Sequence, residues 1–177
     1  MVKKLMKDQR NLKHKYLSLV LNNWINIIFI LIFIVLLYKK APNFLNHVNL
    51  QGETVRPIKI EMLNGKYFDS LNYKKPLVIV FWATWCMPCQ LELSRLNKLV
   101  ENNEIKADSI LAISIQEEPG LVKKESLVRG YKFQIAIDSS GQWAQLFQVS
   151  GTPTVIFLNQ NQEVQWITTG ISPTLAY

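Results

Sequence analysis

With only two cysteines and two histidines in 177 residues, the chain lacks the donors for several kinds of site. A structural zinc needs about four ligands; apart from Cys86 and Cys89 the candidates are His14 and His47, far off toward the amino end. Covalent haem attachment requires a histidine after the second cysteine, and Gln90 stands there. A bridge between cysteines three apart closes a loop too short to restrict much unfolded-chain entropy, so a purely stapling disulfide is disfavoured. No internal repeat and no low-complexity tract is present. Excess charge is missing too: from Ala41 onward twelve basic residues meet twelve acidic ones. The formal charge of +7 belongs to an amino-terminal arm with Lys3, Lys4, Lys7, Arg10, Lys13 and Lys15 against Asp8, followed later by Lys39 and Lys40. It gives no support to a nucleic-acid surface.

Charge of either sign is absent from Tyr16 to Tyr38, a run of 23 residues. As a helix this run spans about 34 Å at about 1.5 Å per residue, enough for a hydrocarbon core of about 30 Å. Asn22, Asn23 and Asn26 weaken its first half, whereas Ile27 to Leu37 is wholly apolar. Tyr16, Trp24 and Tyr38 suit the membrane interface, and the six basic residues before the run predict a cytoplasmic amino end with the rest exported. A cleaved signal peptide shares the basic start. Against it, Tyr38-Lys39-Lys40-Ala41-Pro42 offers no small-x-small cleavage pattern, and no cysteine stands there to carry a lipid. The expected organisation is a cytoplasmic arm (1–15), a transmembrane anchor (16–38), a polar linker (39–54) and one domain (55–177). Roughly 120 residues suffice for one compact domain and not for two.

Within that domain, patterning predicts strand Ile58–Leu63, a turn at Asn64-Gly65 and a short strand Lys66–Phe68. Strand Leu77–Ala83, helix Cys86–Asn102 and strand Ser109–Gln116 follow. Next come helix Leu121–Arg129 closed by Gly130, strand Phe133–Ile137, and a short helix to Phe147 capped by Asp138-Ser139-Ser140. Strand Thr154–Leu158 turns at Asn159–Gln162 into strand Val164–Thr168. Strands alternating with helices indicate an α/β sheet with helices on both faces. Trp143 and Phe147, four apart, read as core, and Lys123-Lys124-Glu125 as a solvated face.

The chemistry concentrates in Trp85-Cys86-Met87-Pro88-Cys89. The apolar run Leu77–Ala83 precedes it, and Cys89, Leu93, Leu96 and Val100 continue with helical spacing. Cys86 therefore lies at the positive end of a helix, where unpaired N–H groups and the macrodipole favour a thiolate. A thiolate is the species that attacks disulfides. Cysteines three apart on a first turn can close on each other, so the pair can store and release two electrons. The competing use is Cu(I) binding by the two soft sulfurs. Later, Thr152-Pro153 puts a proline at the mouth of a buried strand, where it removes a ladder donor.

Phe81-Trp82-Ala83-Thr84-Trp85-Cys86-Met87-Pro88-Cys89, Glu92, Asp138-Ser139-Ser140-Gly141 and Val149 to Leu158 together resemble the thioredoxin superfamily. The similarity is to its membrane-anchored, exported branch: TlpA, ResA, DsbE (CcmG) and ScsD-like proteins, over about Ile58 to Gly170. The resemblance implies a thioredoxin-like fold, a mixed central sheet flanked by helices, preceded by one transmembrane helix. It implies Cys86 as exposed nucleophile, Cys89 as buried resolving thiol and Trp85 as a shield over the thiols. Pro88 would shape the helix start, and Met87-Pro88 would tune the potential. Pro153 would be a cis-proline, with Thr152 offering backbone hydrogen bonds to an extended substrate segment. Thioredoxin carries a buried aspartate where Val80 stands here; the exported branch instead has a glutamate at the position of Glu92. Glu92 lies one turn past Cys89 on its inward side, where burial raises a carboxyl pKa and suits it to exchange a proton with Cys89. Two departures stand out: Leu93-Ser94 where relatives often have a proline, and only seven residues after Gly170 where a final helix is usual.

The expected protein is a bacterial inner-membrane protein-disulfide oxidoreductase with its domain in the periplasm, acting as a reductase. It needs no cofactor beyond Cys86 and Cys89, takes disulfide-bearing proteins as substrates and is resupplied by a DsbD-type membrane reductant. The alternatives are a copper-handling module and an inactive interaction domain.

Overall fold

Six consecutive apolar residues with no polar alternation form β3 (Leu77–Trp82), and all six side chains are buried. A run of this kind requires cover on both faces of its sheet. Its neighbours are β4 (Ile110–Ile115), parallel, and β6 (Thr154–Leu158), antiparallel. Outside them lie β5 (Gln134–Asp138), parallel to β4, and β7 (Val164–Thr169), antiparallel to β6, in the order β5-β4-β3-β6-β7. This is the mixed, helix-flanked sheet of the thioredoxin-like expectation. The computed structural model describes Trp24, residues 26–36, Tyr38 and residues 50–172.

The strand period of two divides β3 between two cores. Leu77, Ile79 and Phe81 pack with Leu111, Ile113, Ile156 and Phe147. Val78, Val80 and Trp82 pack on the other face with Ile110, Ala112 and Val155. The second face is covered by α1 (Met87–Glu101) through Cys89, Leu93 and Leu96, and by α2 (Pro119–Arg129) through Val122. The first is covered by the short α3 (Gln142–Leu146) and by the hairpin of β1 (Lys59–Glu61) and β2 (Tyr67–Asp69), whose Ile60 and Phe68 point inward. Phe147 is core, as its spacing from Trp143 suggested, and meets Phe81 with ring centroids 5.5 Å apart. Gly130 ends α2 at φ 65°, a left-handed cap that glycine takes without a Cβ clash.

Besides shifts of a residue or two at element ends, three differences from the sequence reading trace to particular contacts. Strand Ile58–Leu63 shortens to Lys59–Glu61: the Met62 N–H still meets Lys66 C=O across the turn, but the Leu63 N–H leaves for Ile135 C=O on β5. The linker expected to reach residue 54 ends earlier. Gly52 N–H donates to Val164 C=O at 2.8 Å, Val164 N–H to Glu53 C=O at 2.9 Å, and Val55 N–H to Gln162 C=O at 2.9 Å. At α3 the cap residue is Gly141, at φ 74°, while Asp138 Oδ2 accepts the Ala144 N–H at 2.8 Å.

The chain divides into two units, Met1–Phe44 and Leu45–Tyr177. In the first, residues 26–36 are helical, and the large apolar side chains of 27–36 are all exposed, from 42% at Ile28 to 68% at Phe29. Among the described residues no helix is long and apolar enough to cross a membrane. The anchor expected over 16–38 falls partly outside them, at 16–23, 25 and 37.

Leu96 is fully buried on α1 against the second core. Leu96→Ala should therefore lower the unfolding free energy by about 2–5 kcal/mol, measured by denaturant titration of the oxidised protein. A loss below about 1 kcal/mol would contradict this packing.

Candidate active site

β3 ends at Trp82 and α1 begins at Met87, so Ala83-Thr84-Trp85-Cys86 makes the crossing. The Cys86 N–H donates to Ala83 C=O at 3.1 Å, which tightens the crossing into a turn. Cys86 is the N-cap of α1, with extended backbone, and its Sγ accepts the Cys89 N–H at 3.2 Å. Pro88, in the first turn, needs no N–H there. The first turn holds no acidic residue to oppose a negative sulfur. Cys86 and Cys89 are bridged, with Cα atoms 5.2 Å apart.

Cys86 keeps 5% of its surface and Cys89 none. Only an edge of Cys86 therefore opens to solvent, less than the exposed nucleophile that the resemblance implies. Trp85 is 78% exposed and Met87 71% exposed, both at the surface on either side of Cys86 in the chain. The Thr152–Pro153 bond is cis. The β3–β6 register pairs Phe81 with Thr154, so Thr152-Pro153 enters β6 at the sheet end where β3 leaves for the cysteines. A cleft of about 610 Å³ joins the two segments, lined by Ala83, Trp85, Gln116, Gly141, Gly151 and Thr152.

Glu92 is fully buried one turn beyond Cys89, while Val80, in the strand beneath, offers no carboxylate. Burial pushes the Glu92 carboxyl above its ordinary value; the Arg95 guanidinium, 3.9 Å away, and the Ser172 backbone pull back against it. Arg95 Nη1 also donates to Ser172 C=O, which ties the end of the described chain to α1 beside this carboxylate. Desolvation outweighs a single distant cation, so the carboxyl keeps its proton to higher pH than an exposed glutamate and, once ionised, is a stronger base.

The structure adds residues that the sequence reading did not reach. Glu117, in the loop after β4, accepts hydrogen bonds from the Thr84 N–H and hydroxyl, and Gln90 donates to Thr84 C=O. No motif marks them: Glu117 lies 33 residues from Thr84, without periodicity to connect the two. Among the described residues no group of three or more His, Cys, Asp or Glu side chains could hold a metal, and nothing favours the copper alternative.

A bridged Cys-x-x-Cys at the junction of a buried strand and a helix, with Thr152-Pro153 entering the neighbouring strand at the same end of a thioredoxin-like sheet, is the arrangement of a thiol–disulfide oxidoreductase. Residues 39–167 match the AhpC/TSA family, and the chain belongs to it. It is 31% identical over 120 residues to the thiol-disulfide oxidoreductase ResA of Geobacillus kaustophilus (strain HTA426), covering 67% of this chain and 69% of that one. It is 30% identical, over the same length and shares, to ResA of Geobacillus thermodenitrificans (strain NG80-2). In fold it is similar to a putative thiol:disulfide interchange protein DsbE from Chlorobium tepidum, with TM-score 0.63, 23% identity, and 70% and 87% of the two chains covered. StoA from Bacillus subtilis is also similar, with TM-score 0.56, 19% identity, and 66% and 90% covered. The protein is a protein-disulfide oxidoreductase whose redox centre is its cysteine pair.

Glu92 should leave a mark on stability. Unfolded, it titrates near the ordinary 4.5; folded, it holds its proton to higher pH. Below 4.5 it costs nothing. As pH rises toward the folded value the unfolded chain loses the proton first, and stability falls. Glu92→Gln escapes that loss. Denaturant titrations of both oxidised proteins from about pH 4 to about pH 8 should show the variant gaining on the wild type through this window, then levelling. A constant difference would contradict a raised Glu92.

Proposed function

We propose that the protein is a membrane-anchored reductase of protein disulfides, with its domain on the periplasmic side of a bacterial inner membrane. The observation that carries the chemistry is the arrangement of Cys86, Cys89 and Glu92. Of the two cysteines only Cys86, at a helix N-terminus, keeps any exposed surface, and a buried carboxyl lies one turn past its partner.

In the reduced enzyme the Cys86 thiolate attacks one sulfur of a substrate disulfide. The substrate S–S bond breaks, the departing sulfur takes a proton, and a mixed disulfide forms. Glu92 accepts the proton of Cys89, whose thiolate then attacks Cys86 Sγ. The second substrate sulfur leaves and is protonated. The substrate has gained two electrons, and the enzyme is left with the Cys86–Cys89 bridge, the state seen here. Thr152, at the rim of the cleft, presents its backbone to an extended segment around the substrate cysteine. A membrane dithiol donor of the DsbD type returns the two electrons. The resemblance to the exported branch supports the reductive direction.

The uncharged run from Tyr16 to Tyr38, the basic arm before it and the exposed apolar helix at 26–36 support anchoring with a cytoplasmic amino end.

In the full chain, Cys89→Ser should accumulate mixed disulfides with a protein substrate such as insulin, and Cys86→Ser should form none. Glu92→Gln should slow resolution about a hundredfold, with the first attack unchanged. A membrane-impermeant maleimide should label the reduced cysteines in intact spheroplasts. No trapped species with Cys89→Ser overturns the cycle, and labelling only after lysis overturns the location.

A further inference from the structure

Thr84, two residues before Cys86, is gripped from both sides. Its N–H points at the Glu117 carboxylate, 2.9 Å from Oε2 and 3.1 Å from Oε1, and its hydroxyl donates to Oε1 at 2.5 Å. Ser114 Oγ, on β4, donates to Glu117 Oε2 at 2.6 Å, so that carboxylate is itself held. On the opposite side, Thr84 C=O accepts Gln90 Nε2 at 2.9 Å. Gln90 Oε1 accepts Arg129 Nη2 at 2.7 Å, and Arg129 Nε donates to Glu125 Oε1 at 2.9 Å. One line of polar contacts thus runs from β4, through the peptide that leads into the cysteines, across α1 to the end of α2.

The two arms differ in strength. Glu117 is half-buried, and its bonds to Thr84 are charge-assisted and short. The Gln90–Arg129–Glu125 arm is exposed and screened by water. Glu117 therefore dominates. Every hydrogen bond it accepts from the crossing segment comes from one residue, and that residue belongs to the turn closed by the Cys86 N–H on Ala83 C=O. Displacement at sulfur needs the incoming thiolate in line with the bond that breaks, so the orientation of this turn bears directly on rate.

We propose that Glu117, acting through Thr84, is the positioning residue that fixes the Ala83–Cys86 turn and so the direction from which Cys86 meets a substrate disulfide, with Gln90 as a weaker second hold. The inference rests on Cys86 being the nucleophile. It goes beyond that reading by placing control of the attack in a carboxylate that touches neither sulfur nor substrate.

The test uses the full chain, reduced, with a small aromatic disulfide as substrate, far below the melting temperature. The first-attack rate constant is read at a pH where the wild-type thiol is fully ionised. Glu117→Gln and Thr84→Val should each slow it about tenfold. The double variant should be no slower than Glu117→Gln, because the hydroxyl contact that Thr84→Val removes is one that Glu117→Gln already disrupts. Thr84→Ser, which keeps the hydroxyl, should recover most of the rate lost in Thr84→Val. Melting temperatures measured in parallel separate loss of fold from loss of aim. Wild-type rates in Glu117→Gln and Thr84→Val, additive slowing in the double variant, or no recovery with serine would each overturn the proposal. A wild-type enzyme with no exchange at all would instead overturn the functional reading beneath it.

Discussion

The N–H of Cys89 reaches back to Cys86 Sγ and closes the first turn of α1 on a sulfur where most helices place an oxygen. That contact lies four residues beyond the central strand, and its position depends on β3 being held between a parallel and an antiparallel neighbour. A reactive sulfur needs both conditions. The helix end lowers the energy of the thiolate, and the sheet, packed on both faces, keeps the helix end from moving. The same two residues hold two electrons as thiols and give them up on forming the bridge.

Behind the sulfurs the chemistry depends on what is withheld from water. Val80 leaves the strand beneath Cys89 apolar, so Glu92 is the carboxylate that α1 carries into this core. Complete burial makes its charged form expensive, and Arg95 at 3.9 Å is too distant to compensate. A carboxyl whose proton affinity is raised in this way, one turn from Cys89, is suited to take up a thiol proton. Glu117 is the counterpart: four hydrogen-bond contacts from Thr84 and Ser114 surround its carboxylate. Two glutamates near one redox pair thus take different roles through their surroundings.

Much of this was legible in the sequence wherever a local pattern carried it. The apolar run at β3, the helical spacing after Cys89 and the glycine closing α2 each placed an element within a residue or two. The offset of three from Cys89 was enough to put Glu92 inside. The misses are those in which distant segments decide. Nothing local to Leu63 says that its N–H leaves the hairpin for β5. Nothing in 50–55 announces a partner at 162–164. Glu117 and Thr84 lie on separate loops, and only the parallel pairing of β3 with β4 brings the loop ends together. Accessibility is a similar case: how little of Cys86 opens to solvent depends on packing that no spacing records.

The β3–β6 register has a consequence for how the molecule can fail. Phe81 faces Thr154, and this alignment carries Pro153 to the end of the sheet where the sulfurs are. The cysteines find each other through contacts within one helical turn, whatever β6 does. A slip of one residue between these strands would reverse the faces of β6 and move Pro153 along by about 3.4 Å. Such a molecule would still oxidise and reduce its own pair while having displaced the segment proposed to hold clients. Redox titration would count it as healthy, whereas turnover on a folded client would not, so the gap between those two readings gauges strand alignment across the population.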